Sequence, residues 1–265
     1  MIVNSNCGIK MNKLRDCYNH LKDIFNNSEF SEIEPYASVE LVERYRQYWK
    51  PEQVRVLLLA ESHVFTTDLD RKIQFPTNIV LNGAPIALND YPTEYAKFVY
   101  CLAYGEKQLT QNPAHPKGGT LPFWKIFYSC NKQVENKLDF VPLLSKTKYE
   151  QRISNKIHLL NTLKSKGIWL VDASIIALYK NRQKPKESEY KKFIHCSWEG
   201  YTKNVVEESR PEKIIVIGKG VAGVLENDLK NISNGNYSVI AQPNARLPAE
   251  QHLANYIKYY TLCHE

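Results

Sequence analysis

Polar side chains that could do chemistry follow four separate apolar runs of this sequence. They lie in residues 60–63 (AESH), 172–174 (DAS), 218–223 (GKGVAG) and 242–247 (QPNARL). A carboxylate such as Glu61 can orient or polarise an attacking water, and a neutral amide such as Gln242 can stabilise negative charge on a leaving group. If the four segments meet in space, their polar residues form the place where chemistry should be sought.

Each apolar run has the length and composition of a short buried strand. The runs are residues 54–59, 168–171, 214–217 and 238–241. Helical patterns precede or separate them, at residues 11–25, 38–49, 149–166, 202–208 and 221–229. Strands that alternate with helices predict a parallel sheet with helices on both faces, which is a three-layer α/β/α fold. Because ligands bind beyond the carboxyl ends of such strands, the four polar segments are expected at one edge of the sheet.

Composition and charge indicate a globular protein that could bind a polyanion. The 265 residues are 43% hydrophobic and 24% charged, and we interpret them as one domain, with N-terminal helices in 1–50 and a core in 54–250. Lysine and arginine number 35 against 28 acidic residues, a net charge of +7. That excess suits nucleic acid, although a solvated basic surface gives the same value.

The cysteines and the apolar runs exclude several classes of protein. Six cysteines without a C-x-x-C pair argue against a zinc ribbon, an iron–sulfur cluster and a disulfide framework. The apolar runs are too short to span a bilayer. We therefore expect a cytoplasmic protein with no metal, no cofactor and no membrane partner, and we see no sign of an obligatory protein partner.

Two stretches lie outside the alternation of strands and helices. Residues 76–125 are rich in loop signals, including Asn82-Gly83, Asn112-Pro113 and residues 115–119 (HPKGG). Residues 180–192 (KNRQKPKESEYKK) are dense in charge, and we interpret them as a mobile, solvated insertion without a core face. Both stretches are long enough to be functional loops.

The third polar segment, residues 218–223, has the literal form G-x-G-x-x-G after a strand and before a helix. A dinucleotide site would require an acidic residue about twenty positions further on, at the end of the next strand. The next strand ends in Ala241-Gln242 instead. We favour tight strand-to-helix packing as the reason for these glycines, and a nucleotide-dependent oxidoreductase stays as an alternative.

The order of these segments resembles the uracil-DNA glycosylase superfamily. Residues 60–63 are similar to its first motif, G-Q-D-P-Y-H or G-E-A-P-G, and Phe75 lies thirteen residues beyond Ser62, as the family's stacking Phe does. The other similar segments are residues 120–127 (TLPFWKIF), 170–173 (LVDA, for L-L-N-A), 217–222 (IGKGVA, for L-G-K-x-A) and 242–246 (QPNAR, for H-P-S-A-R). The resemblance covers roughly residues 54–250.

The resemblance implies a DNA glycosylase that hydrolyses the bond between a flipped base and its sugar, on a sheet with strand order 2-1-3-4. Glu61 and Ser62 would then orient the attacking water, and Ser62 occupies the position of the family's catalytic Asp. Gln242, in place of a His, would stabilise the departing base, and Phe75 would stack on it. His63, in the same motif, is grouped with the base-binding residues.

Asp172 stands where the family has an Asn, and this change bears on which base is bound. An ionised Asp only accepts hydrogen bonds, so it favours a base with an exocyclic amine, such as a modified cytosine of phage DNA, over plain uracil. The DNA itself would be contacted by four residues. These are Lys219, Asn244, Arg246 on phosphate and Leu247 as a wedge.

Each of these roles has a structural alternative. Glu61 could form a salt bridge or cap a helix, and Phe75 could be an ordinary core residue. Asp172 or Ser174 could cap the helix that follows, and Arg246 with Leu247 could lie in a surface turn. The loss of the family's Asp and His also leaves open a nucleic-acid-binding relative without catalytic activity.

Overall fold

The computed structural model describes residues 4–26, 28, 30, 32–76, 78–81, 84–110, 121–180 and 183–265. Its strands are β1 (Val56–Ala60), β2 (Asn78–Leu81), β3 (Ala84–Ala87), β4 (Ile168–Asp172), β5 (Lys213–Ile217) and β6 (Tyr237–Ile240). A four-stranded sheet has the order β4-β1-β5-β6, and each neighbouring pair is parallel. In the numbering of the four apolar runs this is 2-1-3-4, so the predicted order is confirmed.

The helices fill the connections between these strands. They are α1 (Asn4–Phe25), α2 (Tyr36–Tyr48), α3 (Asp68–Arg71), α4 (Lys107–Thr110), α5 (Leu121–Asn131), α6 (Tyr149–Ser165), α7 (Glu187–Ser197), α8 (Lys203–Ser209), α9 (Lys219–Val224), α10 (Glu226–Ile232) and α11 (Ala249–His264). A 3₁₀ helix (Lys137–Leu143) precedes α6, and a π-helical turn (Trp198–Thr202) joins α7 to α8.

Helices cover both faces of the parallel sheet. Every residue of β1 and β4 is buried, which requires cover on both sides because side chains alternate between the faces of a strand. Helices α5, α6 and α11 pack together as one group, and α1, α7 and α9 belong to another. This arrangement agrees with the predicted three-layer α/β/α fold, and one cluster of buried apolar side chains runs from Leu14 to Cys263.

The register of the sheet brings the ends of its strands into line. Ala60 of β1 is the partner of Asp172 in β4, and Ile217 of β5 is the partner of Ile240 in β6. The Gly218 N–H also donates a hydrogen bond to the Ile240 carbonyl, 2.8 Å away. The residues that follow the four strands therefore emerge side by side at one edge of the sheet, as predicted.

Two stretches contain more regular structure than the sequence indicated. Residues 76–125 include an antiparallel pair, β2 and β3, on either side of the Asn82-Gly83 dipeptide, which itself lies outside the described residues. Residues 111–120, with the 115–119 segment and Asn112-Pro113, also lie outside them. The interpretation of 180–192 as a solvated insertion is wrong for its second half, because α7 begins at Glu187 and half-buries Tyr190.

Five cysteines and the helices long enough to consider as membrane spans lie in the described part of the chain. Cys17, Cys101, Cys130, Cys196 and Cys263 are free thiols. No helix in the described part of the chain is long and apolar enough to cross a membrane.

Candidate active site

Three connected spaces open at the carboxyl edge of the parallel sheet. The first, which we name the groove, has a volume of about 750 Å³ and is lined by residues that include Glu61, Lys219 and Gln242. The second, the outer cavity, has about 320 Å³ and shares Glu61, Tyr179 and Gln242 with the groove. The third, the inner cavity, has about 40 Å³ and shares Ser62, His63, Val64 and Phe123 with the outer cavity.

Glu61 lies at the mouth between the groove and the outer cavity. It follows β1 directly, and its carbonyl accepts a hydrogen bond from the Ser174 N–H at 3.0 Å, which fixes its backbone. Burial and the nearby Glu61 carboxylate raise the pKa of Tyr179 to about 12, and they raise the pKa of Tyr190 as well. Both phenols therefore keep their protons at neutral pH near the carboxylate, and the Tyr190 hydroxyl makes no hydrogen bond in the described part of the chain. The alternatives for Glu61 were a salt bridge and a helix cap, and its neighbouring phenols correspond to neither.

Ser62 links the ends of β1 and β4. Its hydroxyl oxygen accepts a hydrogen bond from the Leu178 N–H at 3.2 Å, while the residue lines both the outer and the inner cavity. The hydroxyl proton stays available for a water or a ligand. Ser62 can therefore orient a bound molecule, but it has no neighbouring base that would make it a strong proton acceptor among its described hydrogen bonds.

The glycines of residues 218–223 make room for two side chains of this site. A Cβ at Gly218, whose φ is +118°, would lie 2.8 Å from Cγ of Gln242, and a Cβ at Gly220 would lie 3.0 Å from Oη of Tyr190. At Gly223 a Cβ would meet nothing within 4 Å. The Gln242 side chain thus covers the backbone that a dinucleotide diphosphate would have to approach. Gly218 and Gly220 therefore serve close packing, as the favoured interpretation expected, whereas Gly223 has no such contact.

Asp172 belongs to a buried network of charged side chains. Its Oδ2 lies 3.2 Å from Nη2 of Arg46 and 3.5 Å from Nδ1 of His63. Arg46 also pairs with Glu43 on the same helix, α2. All of these side chains are almost completely buried. The network closes the floor of the inner cavity, which Asp172 lines.

His63 is held between two carboxylates in this network. Its Nε2 lies 2.6 Å from Oε2 of Glu34, and Glu34 also accepts hydrogen bonds from the N–H groups of Thr66 and Ala177. Burial alone would lower the pKa of His63, but Glu34 and Asp172 stabilise the imidazolium and raise the pKa to about 9. His63 is therefore a cation at neutral pH, and both of its ring nitrogens face carboxylates.

The alternative that Asp172 or Ser174 caps a following helix is wrong. No helix follows directly, because residues 173–179 form bends, so neither Asp172 nor Ser174 caps one. Ser174 instead donates its hydroxyl proton to the Ile176 carbonyl at 2.8 Å. The charged partners of Asp172 were missed from the sequence. Glu43 and Arg46 did carry a signal, since they occupy the same helix face as Val39 and Val42.

Phe75 does not line the groove or either cavity, so the predicted stacking position is wrong. The residue is buried in the core against Tyr91, with ring centroids 6.1 Å apart. The Phe75 N–H donates to the Thr93 carbonyl at 3.1 Å, which holds this segment away from the sheet edge. The aromatic rings that do line the inner cavity are Phe98 and Phe123.

The four residues assigned to DNA lie around the entrance, but not equally close to it. Lys219 is exposed and Leu247 is half-buried, and both line the groove. Asn244 is exposed and lines the outer cavity. Arg246 is exposed and lines none of the three spaces, in a tight turn where the Leu247 N–H donates to the Ala245 carbonyl at 2.9 Å. The alternative of a surface turn therefore describes Arg246.

The geometry unites Glu61, Ser62 and Gln242 in the outer cavity and puts His63 and Asp172 in the floor of the adjoining inner cavity. No protein-family model, curated protein or solved structure matches this chain. In the described part of the chain, no three His, Cys, Asp or Glu side chains form a group that could hold a metal ion.

Proposed function

We propose that this protein is a DNA glycosylase similar to the uracil-DNA glycosylase superfamily, which hydrolyses the bond between a flipped, amine-bearing base and its sugar. The observation that carries the proposal is the outer cavity. Glu61 and Ser62, which follow β1, and Gln242, which follows β6, line it together. Its volume of about 320 Å³ lies at the small end of the range for small-molecule sites. The strand order supports the same family, because it is the order that the resemblance implies.

The proposed chemistry divides the charges of the transition state between the two sides of the cavity. Cleavage produces a cationic sugar and an anionic base. Glu61, which lies beside the protonated hydroxyl groups of Tyr179 and Tyr190, would stabilise the sugar and direct a water to its anomeric carbon. Gln242 would donate a hydrogen bond to the departing base. The water would supply the new C–O bond, and its released proton would compensate the negative charge of the base.

The floor of the inner cavity, which adjoins the outer cavity, supports a base that carries a hydrogen-bond donor. Both ion-pair contacts of Asp172 run to Oδ2, so Oδ1 would be the acceptor offered to the base. Both ring nitrogens of His63 already face carboxylates. A carboxylate oxygen matches an amino group, as in a modified cytosine, and repels the O4 of uracil. Phe123, which lines both cavities, would replace Phe75 as the stacking ring.

The groove supports binding of a DNA strand outside the cavity. Lys184, Lys191 and Lys219 line it, together with the apolar side chain of Leu247. Lysines along a groove can neutralise phosphates, and an apolar side chain beside them can fill the gap that a flipped base leaves.

The test is base release from DNA that carries modified cytosines or uracil, followed by alkaline cleavage at abasic sites. Glu61→Gln should keep DNA binding but lose most base release, about 100-fold or more, because the charge matters more than the shape. Glu187→Gln is a matched control, since Glu187 also lines the groove but pairs with Lys191. Release that is equal in both variants would show that Glu61 does not take part.

A nucleic-acid-binding protein without catalytic activity is the second candidate, and the residue Ser62 favours it. Ser62 stands at the position of the family's water-activating Asp, and a hydroxyl is a poor base. DNA binding by the wild-type protein without abasic sites on any of the DNAs would favour this candidate over the glycosylase.

A further inference from the structure

A second charged cluster lies outside the candidate active site. Glu106, Arg152 and Lys156 are 2%, 8% and 4% exposed. Arg152 donates to both carboxylate oxygens of Glu106, from Nε at 2.8 Å and from Nη2 at 2.7 Å. Lys156 donates to Oε1 of the same carboxylate at 2.6 Å. One carboxylate therefore serves two buried cations.

The cluster borders a cavity of about 440 Å³, which we name the Arg152 cavity. Tyr104, Trp124 and Lys146 are among its other lining residues, and Lys146 is exposed at the rim. Tyr104 also lines the outer cavity, so the two spaces are neighbours. Residues 111–120 (QNPAHPKGGT), which immediately precede α5, contain no carboxylate that could balance the charge.

The charge of this cluster is unbalanced by one unit. Two cations against one carboxylate leave +1, and a buried charge is costly unless a partner of opposite sign compensates it. Glu106 is the only carboxylate among the described groups that raises the pKa of Arg152 or Lys156, while burial and the nearby Arg152 lower the pKa of Lys156. An anion inside the Arg152 cavity would supply the missing charge.

The described side chains of the Arg152 cavity also offer more hydrogen-bond donors than acceptors. Arg152 has five N–H groups, of which two go to Glu106 and one to the Thr147 carbonyl, so two remain. Lys156 has three and gives one to Glu106. The indole N–H of Trp124 is buried and makes no hydrogen bond within the described part of the chain. Such a site suits a ligand with several acceptor oxygens and negative charge.

We propose that the Arg152 cavity binds a phosphate group through Arg152 and Lys156. The inference does not depend on glycosylase activity. The phosphate group could belong to a small phosphorylated compound or to the backbone of a nucleic-acid strand whose neighbouring nucleotide enters the outer cavity. Both sources present the same charged oxygens to the same donors.

The first experiment measures the melting temperature with increasing inorganic phosphate, at an ionic strength held constant with chloride. Wild-type protein should gain several degrees at saturating phosphate, roughly as expected for a ligand that binds only the folded state. Lys156→Met removes the excess charge and leaves the Glu106–Arg152 pair intact, so this variant should fold and lose the gain.

The matched control is Lys164→Met, a change on the same helix. Lys164 donates to the Tyr48 carbonyl at 2.7 Å and lies over the Tyr48 ring, away from the Arg152 cavity. It should keep the full phosphate gain. No gain in the wild-type protein, or an equal gain in all three proteins, would overturn the proposal.

A second variant keeps the proposal testable if Lys156→Met folds poorly. Glu106→Gln leaves two buried cations without a carboxylate, so its stability should depend on phosphate more steeply than that of the wild-type protein. A Glu106→Gln protein as stable in chloride as in phosphate would contradict the inference.

The source of the phosphate is distinguished with an oligonucleotide in place of the free ion. If the strand supplies the phosphate, Lys156→Met should reduce the log–log slope of oligonucleotide affinity against salt by about one, and Lys164→Met should not. If phosphate stabilises the wild-type protein but the slope is the same in both variants, the site takes a small phosphorylated compound. Both results support a phosphate site, and they stay informative even if base release is never observed.

Discussion

The stability of this protein should fall as the pH rises from about 6.5 to about 9, because of one buried histidine. The pKa of His63 is about 9 in the folded protein and 6.5 in a peptide, so the folded state holds a proton that the unfolded state releases in this range. When the folded state binds more protons, stability falls with rising pH. The contribution of His63 is fully present below pH 6.5 and is lost as the pH passes through 9.

The size of this effect follows from the difference between the two pKa values. Each unit of difference corresponds to about 1.4 kcal/mol, so His63 contributes about 3 kcal/mol below pH 6.5. His63 has no exposed side-chain surface, so solvent screening does not reduce this value much. Between pH 7 and 8.5 the free energy of unfolding should fall by about 2 kcal/mol from this residue alone.

Urea unfolding at several pH values and constant ionic strength measures the slope. Glu34→Gln removes the larger of the two carboxylate effects on His63, so its slope between pH 7 and 8.5 should be clearly shallower. Glu32→Gln is a matched control, because Glu32 lies two residues away with a mostly exposed side chain that pairs with Lys180. It should keep the wild-type slope.

Direct observation of the ring separates this effect from other groups that titrate in the same range. The His63 ring signals in an NMR titration should change near pH 9 in the wild-type protein and at a lower pH in Glu34→Gln. The reasoning is refuted if His63 titrates near pH 6.5 in the folded wild-type protein, or if both glutamine variants keep the wild-type slope.

Three further predictions concern the glycines, the base and the salt dependence. Gly218→Ala should destabilise the fold by about 1–3 kcal/mol and displace Gln242, whereas Gly223→Ala, in the same motif, should be neutral or up to about 1 kcal/mol more stable in urea unfolding. Asp172→Asn should cost about 3 kcal/mol by breaking the buried pair with Arg46, and should shift base release about tenfold or more towards uracil in competition assays. DNA affinity should fall with salt with a log–log slope of several units, and a flat profile would argue against a DNA substrate.

The central fold could be predicted because its strands carry a strong local signal. The four runs of the parallel sheet are apolar throughout, as buried parallel strands are, and their predicted ends lie within two residues of the observed ones. The pair of β2 and β3 had a signal in the Asn82-Gly83 dipeptide, which is typical of tight β-hairpins, but each strand has only four residues and Pro85 lies within the second. Helix α7 was missed entirely, because charged residues dominate its N-terminal half. Its apolar spacing, Tyr190 to Phe193 and Ile194, is visible only across the boundary of the charged stretch.

The candidate site could be predicted only where residues follow strands directly. Glu61, Ser62 and Gln242 are fixed by the ends of β1 and β6, so the fold alone brings them together. Phe75 lies fourteen residues after Glu61, and the chain between them can turn either way, so sequence spacing could not decide its place. Glu34 is 29 residues from His63, and no periodic pattern connects the two.

The buried network gives Asp172 a structural reason to be an aspartate, apart from any base that it contacts. Its Oδ2 faces both Arg46 and His63, and an amide there would leave each of these cations with a single carboxylate, Glu43 for Arg46 and Glu34 for His63. The family's Asn at this position therefore cannot be restored without a cost in stability, whichever base is bound. The destabilised fold of Asp172→Asn would lower activity on every base. A change in base preference is therefore informative only if it exceeds this general loss of activity. Selectivity, measured as a ratio between two bases in one protein, meets that condition because unfolding lowers both rates equally.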